Sequence, residues 1–156
     1  MKLTATKIHA VKDLIIVAKI LYACGKDMAE NYDLHHWDNP YLKALLIVAA
    51  CALKNNVYLV LNNEKKPVAT FQTRINGKDL HFEKLAVAPQ EAGKGIGSFC
   101  LETIEQQAKA QGCNSVVMEV YDLSKHAIKF YEHRGYKEKG ITDTLKYKEI
   151  KMEKSM

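Results

Sequence analysis

Leu85-Ala86-Val87-Ala88-Pro89-Gln90-Glu91-Ala92-Gly93-Lys94-Gly95-Ile96-Gly97-Ser98 is the stretch around which the chain is organised. An apolar strand runs to Val87 and Pro89 stops it. Glycines follow at 93, 95 and 97, and then Ile96, Phe99, Cys100, Thr103, Ile104, Gln107 and Ala108 recur at helical spacing. A strand, a glycine turn and a helix start present bare backbone N–H groups to an anion. The first N–H groups of a helix have no partner within it, and the macrodipole adds positive potential. Glycine admits a phosphate without a Cβ in its way. The stretch therefore predicts a phosphate or pyrophosphate cradle at Gly93–Ser98.

Three phosphate loops compete. A Walker loop needs Ser or Thr after its Gly-Lys pair, and neither follows Lys94 or any other such lysine. A dinucleotide fingerprint reads G-x-G-x-x-G, whereas the run here is G-x-G-x-G. Only about sixty residues follow it, too few for the rest of a doubly wound sheet. Glu119 stands about 20 residues on, where that fold has its ribose-binding acid, but a lone acid at that spacing is common by chance. The third candidate is a coenzyme A loop, [QR]-x-x-G-x-[GA], after an apolar strand and V-x-P. Ala92-Gly93-Lys94-Gly95-Ile96-Gly97 after Val87-Ala88-Pro89 resembles that loop of the GNAT N-acetyltransferases, with Ala92 where Gln or Arg is usual. A second motif agrees independently. Ser124-Lys125-His126-Ala127-Ile128-Lys129-Phe130-Tyr131-Glu132-His133-Arg134-Gly135-Tyr136 resembles the family's N-x-x-A-x-x-F-Y-x-x-x-G-[FY], with Ser124 for Asn. The resemblance covers roughly Val57 to Lys154.

The chain has 156 residues and a formal net charge of +5. That length suits one domain, 1–156, with a core that needs no staples. The basic balance suits an anionic cofactor. Lysines are spread along the chain, so nucleic acid is not implied as a partner, and the C-terminal Lys146, Lys148, Lys151 and Lys154 read as a solvated strand face. Cys24, Cys51, Cys100 and Cys113 form no C-x-x-C pair and no metal-ligand spacing. They point to a reduced, cytoplasmic setting without disulfides or a metal. The N-terminus is too polar for a signal peptide, and Ala44–Leu53 is about half a membrane span, which reads as a buried helix rather than a membrane contact.

In chain order, Lys2–Ile8 is a weak first strand. Val11–Cys24 is a helix closed by Gly25 as its C′ residue. Lys26–Asp38 is polar, with an aromatic and histidine cluster at Tyr32, His35, His36 and Trp37. Asn39 as N-cap and Pro40 at the first helical position open a second helix to Lys54. Val57–Leu61, Val68–Ile75 and Lys78–Val87 are antiparallel strands, the last two joined at Asn76-Gly77. Gly112 closes the third helix. Ser115–Val120 is a strand, Ser124 caps a fourth helix that ends at Gly135, and Leu145–Glu153 is a last strand with a bulge between Tyr147 and Ile150. This is an α/β order, and the family resemblance implies a mixed, mostly antiparallel sheet with helices on both faces. It also implies that the fourth and fifth strands splay apart and that the pantetheine arm lies in the gap.

Acetyl transfer to an amine needs a donor for the developing oxyanion, loss of an amine proton and protonation of the departing thiolate. The resemblance implies a backbone oxyanion donor at Leu85, Ala86 or Val87 and phosphate donors at Gly93, Lys94, Gly95, Ile96, Gly97 and Ser98. Lys94 either adds charge there or is a solvent-facing loop lysine. Tyr131 matches the tyrosine beside the coenzyme sulfur, and its other reading is a packed helical aromatic. His81 and Glu83 share one side of the fourth strand. Family bases lie on this strand in some members, and the alternative for this pair is exposed polars near Lys78 or Lys84. His126 faces solvent in the fourth helix's first turn. His35, His36 and Trp37 are substrate contacts or loop packing, and two adjacent histidines are too few for a metal. The expected activity is N-acetyl transfer from acetyl-CoA to a primary amine on a small molecule or protein, by direct transfer in a ternary complex. The alternatives are a non-catalytic acyl-CoA-binding regulator on the same fold and an acetyltransferase acting on charged tRNA. A homodimer stays open.

Overall fold

The computed structural model describes residues 1–156. Its centre is one seven-stranded sheet, ordered β1-β2-β3-β4-β5-β7-β6. The strands are β1 (Thr4–Lys7), β2 (Asn56–Leu61), β3 (Pro67–Asn76), β4 (Asp79–Val87), β5 (Ser115–Tyr121), β6 (Lys137–Asp143) and β7 (Lys148–Ser155). Every pair is antiparallel except β4 with β5, which the helix α3 (Ile96–Ala110) joins as a βαβ crossover. The two motif-bearing segments fold as expected, with α4 (Lys125–Glu132) following β5.

Alternation along the strands builds two cores. Tyr58, Val60, Phe71, Phe82, Met118 and Met152 face α3 and α4. Val57, Leu59 and Ala86 face α1 (Val11–Tyr32) and α2 (Tyr41–Ala52). No helix is long and apolar enough to cross a membrane.

Several boundaries differ from the sequence reading, each for a physical reason. Helix α1 does not stop at Gly25 but continues to Tyr32, so most of the expected polar loop is helical. Asp33, in the left-handed region at φ 54°, ends it. Gly25 serves close approach instead: a Cβ there would lie 2.1 Å from the Trp37 carbonyl oxygen. The Asp38 carboxylate, 2.6 Å from Lys26 Nζ, ties the same loop back onto α1. Pro40, not Asn39, takes the cap position of α2, since its carbonyl accepts from the Ala44 N–H at 3.0 Å. Helix α2 is not a buried helix. Ala44 and Val48 are its buried residues, while Leu42, Leu46 and the following Leu53 are 67%, 63% and 91% exposed.

The β3–β4 turn falls at Gly77-Lys78, one residue later than read. Positive φ at Gly77 alone is what a type II′ turn requires. Ser124 precedes α4 without a side-chain cap bond and is buried. The C-terminal bulge lies in β6, between Glu138 and Gly140, and the β5–β7 register is unbroken. Tyr147 is out of phase with Ile150 because it precedes β7, in a turn that the Thr144 hydroxyl closes by accepting its N–H at 3.1 Å.

Gly25→Ala tests the close approach. Helix propensity alone favours alanine by about 1 kcal/mol. The Trp37 carbonyl is backbone and cannot swing away, so overpacking at the upper end of about 1–3 kcal/mol should outweigh that gain and, for a net loss of about 1–2 kcal/mol, lower Tm by about 2–8 °C in scanning calorimetry.

Candidate active site

β4 follows β3 along its length and β5 follows β7 along its length, but β4 and β5 share only three rungs, Asp79–His81 with Ser115–Val117. A bulge in β4 drives them apart. Gln72 pairs with Glu83 and Thr70 with Ala86, so Lys84 and Leu85 together oppose Phe71. Lys84 sits at φ 55°, in the place a bulge of this kind ordinarily gives to glycine. Beyond the bulge, the Ala88 N–H donates to Val68 O at 2.9 Å. Alternation in the ladder then turns the N–H and C=O of Val87 away from β3 and into the gap. The Cys24 thiol donates to that carbonyl at 3.0 Å, which leaves the Val87 N–H as the donor facing the opening.

The glycine turn lies at the same end. None of the six backbone N–H groups from Gly93 to Ser98 has a hydrogen-bond partner in the protein. Gly93 and Gly95 both take φ 77°, and a Cβ at either would meet open space, so glycine is needed there for the backbone's hand. At Gly97 a Cβ would come 3.4 Å from the Phe130 ring, so glycine lets α4 pack against α3. Ile96 turns its side chain into the core and leaves its N–H in the row. Lys94 points its ammonium at Glu91, 2.7 Å away on the exposed surface.

A second cation, to which the sequence analysis gave no role, is fixed at Ser98, the end of the row. Arg134 donates to the Ser98 hydroxyl and, at 3.2 Å, to the Phe130 carbonyl, with its guanidinium 3.9 Å above the Phe130 ring. Its only sequence signal was its place one helical turn after Phe130. Six unpaired N–H groups, a helix N-terminus and an arginine fit the pyrophosphate of a coenzyme.

A cavity of about 310 Å3 passes through the gap and joins the two faces of the sheet. Tyr131 lines its α3/α4 side, stacked edge-on against Phe130 and Tyr136. Burial, then the nearby Cys100 thiol, pushes the Tyr131 phenol above its usual range, so it stays protonated. The opposite side carries Glu83, Glu119 and Glu149. Burial raises Glu83, but the Asn55 amide at 2.6 Å and the charges of Lys54, Arg74 and Lys84 outweigh it and hold the carboxyl below the usual range. Glu149 is raised, first by burial and then by Glu119. His81 shares Glu83's face as expected but is buried outside the cavity, bonded to Glu119 Oε2 at 2.5 Å. That bond, then the charges of His81 and Arg74, lowers Glu119 against the opposing effect of burial. Glu119 was visible in sequence only as a lone acid.

His36 and Trp37 both line the cavity, while His35 lies on the surface against Asp33. His36 stacks on Tyr121 at 4.3 Å, and burial, then the Lys84 and His126 charges, pushes it down to about 4. His126 is exposed, as read, yet it also borders the cavity and stacks on Tyr32. Burial pushes the Cys24 and Cys100 thiols up to about 12, which leaves neither as a nucleophile at neutral pH.

The sequence profile of the acetyltransferase (GNAT) family matches residues 22–136. YdhI, an uncharacterized protein of Bacillus subtilis (strain 168), is 25% identical over 112 residues, which are 72% of this chain and 68% of that protein. The glucosamine 6-phosphate N-acetyltransferase of Candida albicans is 34% identical over 65 residues, 42% of each, so less than half of that enzyme is matched. The PaiA N-acetyltransferase of Thermoplasma acidophilum, solved with coenzyme A, superposes over 100% of both chains with a TM-score of 0.73 at 18% identity, a likeness of fold.

Ser98→Asp separates binding from folding. An acid in the first turn of α3 favours the helix dipole and can pair with Arg134, so Tm should hold or rise. The same charge opposes a pyrophosphate a few ångströms away, at about 1–4 kcal/mol between the water and protein-surface limits. Coenzyme A affinity by calorimetry should fall about fivefold or more.

Proposed function

Because the chain belongs to the acetyltransferase (GNAT) family, we propose that it moves an acetyl group from acetyl-CoA to the primary amine of an acceptor, by direct transfer with both substrates bound. The observation that carries this reading is the cavity through the strand gap. Tyr131 lines it from one side of the sheet and three glutamates from the other, and it lies at the end of β4 that leads into the row of six unpaired N–H groups.

Bound acetyl-CoA supplies an activated thioester carbonyl. The N–H groups of Gly93–Ser98 and Arg134 hold its pyrophosphate. The Val87 N–H, aimed into the gap, is the donor for the carbonyl oxygen as negative charge builds there. Tyr131 keeps its proton and can hand it to the departing sulfur. The acceptor's proton leaves toward the glutamate wall. A ternary complex needs no covalent relay, and the raised Cys24 and Cys100 thiols fit that route.

Charge and shape favour a cationic amine at the wall. Glu83, Glu119 and Glu149 line it, Lys84 is the lysine among them, and His36 is neutral near pH 7. Tyr121, Tyr147 and Trp37 add aromatic surface that suits an ammonium or its alkyl stem. An anionic acceptor meets repulsion there. A panel of mono-, di- and phosphorylated amines with acetyl-CoA tests this, and the cationic members should react best. Coenzyme binding without transfer to any amine would instead favour the regulator.

Tyr131→Phe keeps the ring and its packing. Tm and coenzyme affinity should change little, and kcat at saturating substrates should fall about 10²- to 10⁴-fold. Equal rates would make Tyr131 a packing residue, with water protonating the sulfur.

A further inference from the structure

We propose that Glu119 is the carboxylate that receives the acceptor's ammonium at the mouth of the β4–β5 gap, and that His81 is the positioning residue that aims it there. This rests on the acetyl-transfer reading and narrows it to one of the three glutamates.

Backbone pairing between β4 and β5 ends at His81 opposite Val117. Glu119 is the next residue of β5 on the same face, the first acidic side chain past the last rung. The 2.5 Å bond from His81 Nε2 to Glu119 Oε2 spans the strands where their own hydrogen bonds stop. His81 is 6% exposed and approaches from behind, while Glu119 lines the cavity. Oε1 of Glu119 has no protein partner, which leaves it for a ligand. The other two glutamates are placed differently. Glu83 is engaged by Asn55 at 2.6 Å and Arg74 at 3.5 Å. Glu149 lies farther along, opposite Tyr121 on β7, with no buried partner behind it.

His81 Nδ1 is buried without a partner, so the ring's one polar contact is Nε2 with Glu119 Oε2. That bond holds the Glu119 carboxyl below its usual range, so it meets the acceptor as a carboxylate with its outer oxygen free. Glu119 Oε1 first takes one proton from the bound ammonium, breaking an N–H bond and forming an O–H bond, and passes it to solvent through the open mouth, which frees the nitrogen's electron pair. As that pair forms the C–N bond and the C–S bond breaks, the Tyr131 proton goes to the sulfur. The second nitrogen proton, acidic once the C–N bond forms, leaves by the same path, and solvent returns one proton to Tyr131, so atoms and charge balance.

The groups that face Glu119 are His81 and Glu83 on β4, with Lys84 at its bulge, Arg74 on β3, and Glu149 and Lys151 on β7. Among these, His81 touches it directly. Loss of the His81 donor should let Glu119 rise, so the acid limb of the kcat/KM profile should move to higher pH.

The test uses the full chain with acetyl-CoA and the best amine of the panel. Glu119→Gln should lower kcat/KM by about 10²-fold or more with coenzyme affinity unchanged. Glu119→Asp, which withdraws the carboxylate by one methylene, should lose less. His81→Leu should lower kcat/KM and shift the acid limb upward, and His81→Gln, which keeps an N–H donor, should restore much of both. Wild-type kcat/KM in Glu119→Gln, or equal profiles for His81→Leu and His81→Gln, overturns the proposal. If the wild type acetylates no amine, the transfer reading fails on its own. The site is then read without turnover by 15N NMR of His81 in the coenzyme A complex. Titration with propylamine should move the Nε2 resonance in wild type and not in Glu119→Gln, and no movement in wild type overturns the assignment.

Discussion

The parting of β4 from β5 is the constraint on which the rest of the structure depends. Each strand is fully paired on its outer side, β4 with β3 and β5 with β7, so neither needs the other beyond three rungs. The bulge at Lys84–Leu85 adds twist to β4 just past its last rung with β5, and the two halves of the sheet turn away from each other. Inside a sheet this would be expensive, because buried N–H and C=O groups need partners. Here the free edge of β4 borders a cavity, and a ligand laid along it can accept from Val87. The opening also joins the two faces of the sheet, which two cores otherwise keep separate.

The two sides of that opening differ in electrostatic character. Backbone N–H groups, the α3 dipole and Arg134 make one end positive, while three glutamates make the other negative. A net charge of +5 describes neither end. Spread lysines contribute a weak, screened background, whereas groups fixed at a helix start or around a cavity act at short range and reduced dielectric. On the proposed reading, an anionic cofactor and a cationic acceptor would thereby be drawn to opposite sides of one gap.

What could be read from the sequence was local. The glycine turn, the α4 motif and the strand–helix order each depend on residues within one or two turns of each other, and they folded where expected. What escaped depended on contacts between distant segments. Gly25 looked like a helix stop because its reason for being glycine, the Trp37 carbonyl, lies twelve residues on across a loop. The apolar run of α2 suggested burial, but only one stripe of a helix faces a sheet, and Ala44 and Val48 lie on it. Arg134 and Ser98 meet through the packing of α4 on α3. Glu119 stood out in the sequence only as a lone acid, because its partner His81 is on another strand.

The bulge residue shows how local strain and site chemistry are linked. A left-handed backbone costs a non-glycine residue about 1–2 kcal/mol, and glycine at 84 would carry no such cost. Lysine persists there only if its side chain contributes something in return. Its ammonium lies 5.5 Å from the centre of the Trp37 ring, an attraction of about 0.5–1 kcal/mol or more where partly desolvated. It also sits among opposite charges. Lys84 helps hold Glu83 ionised and opposes the rise that burial and Glu119 impose on Glu149. Three carboxylates around one cavity repel each other and tend to take up protons. A cation fixed at the bend of the strand counters that tendency from within the wall. The same residue therefore bends β4 away from β5 and keeps the surface that the bend exposes negatively charged.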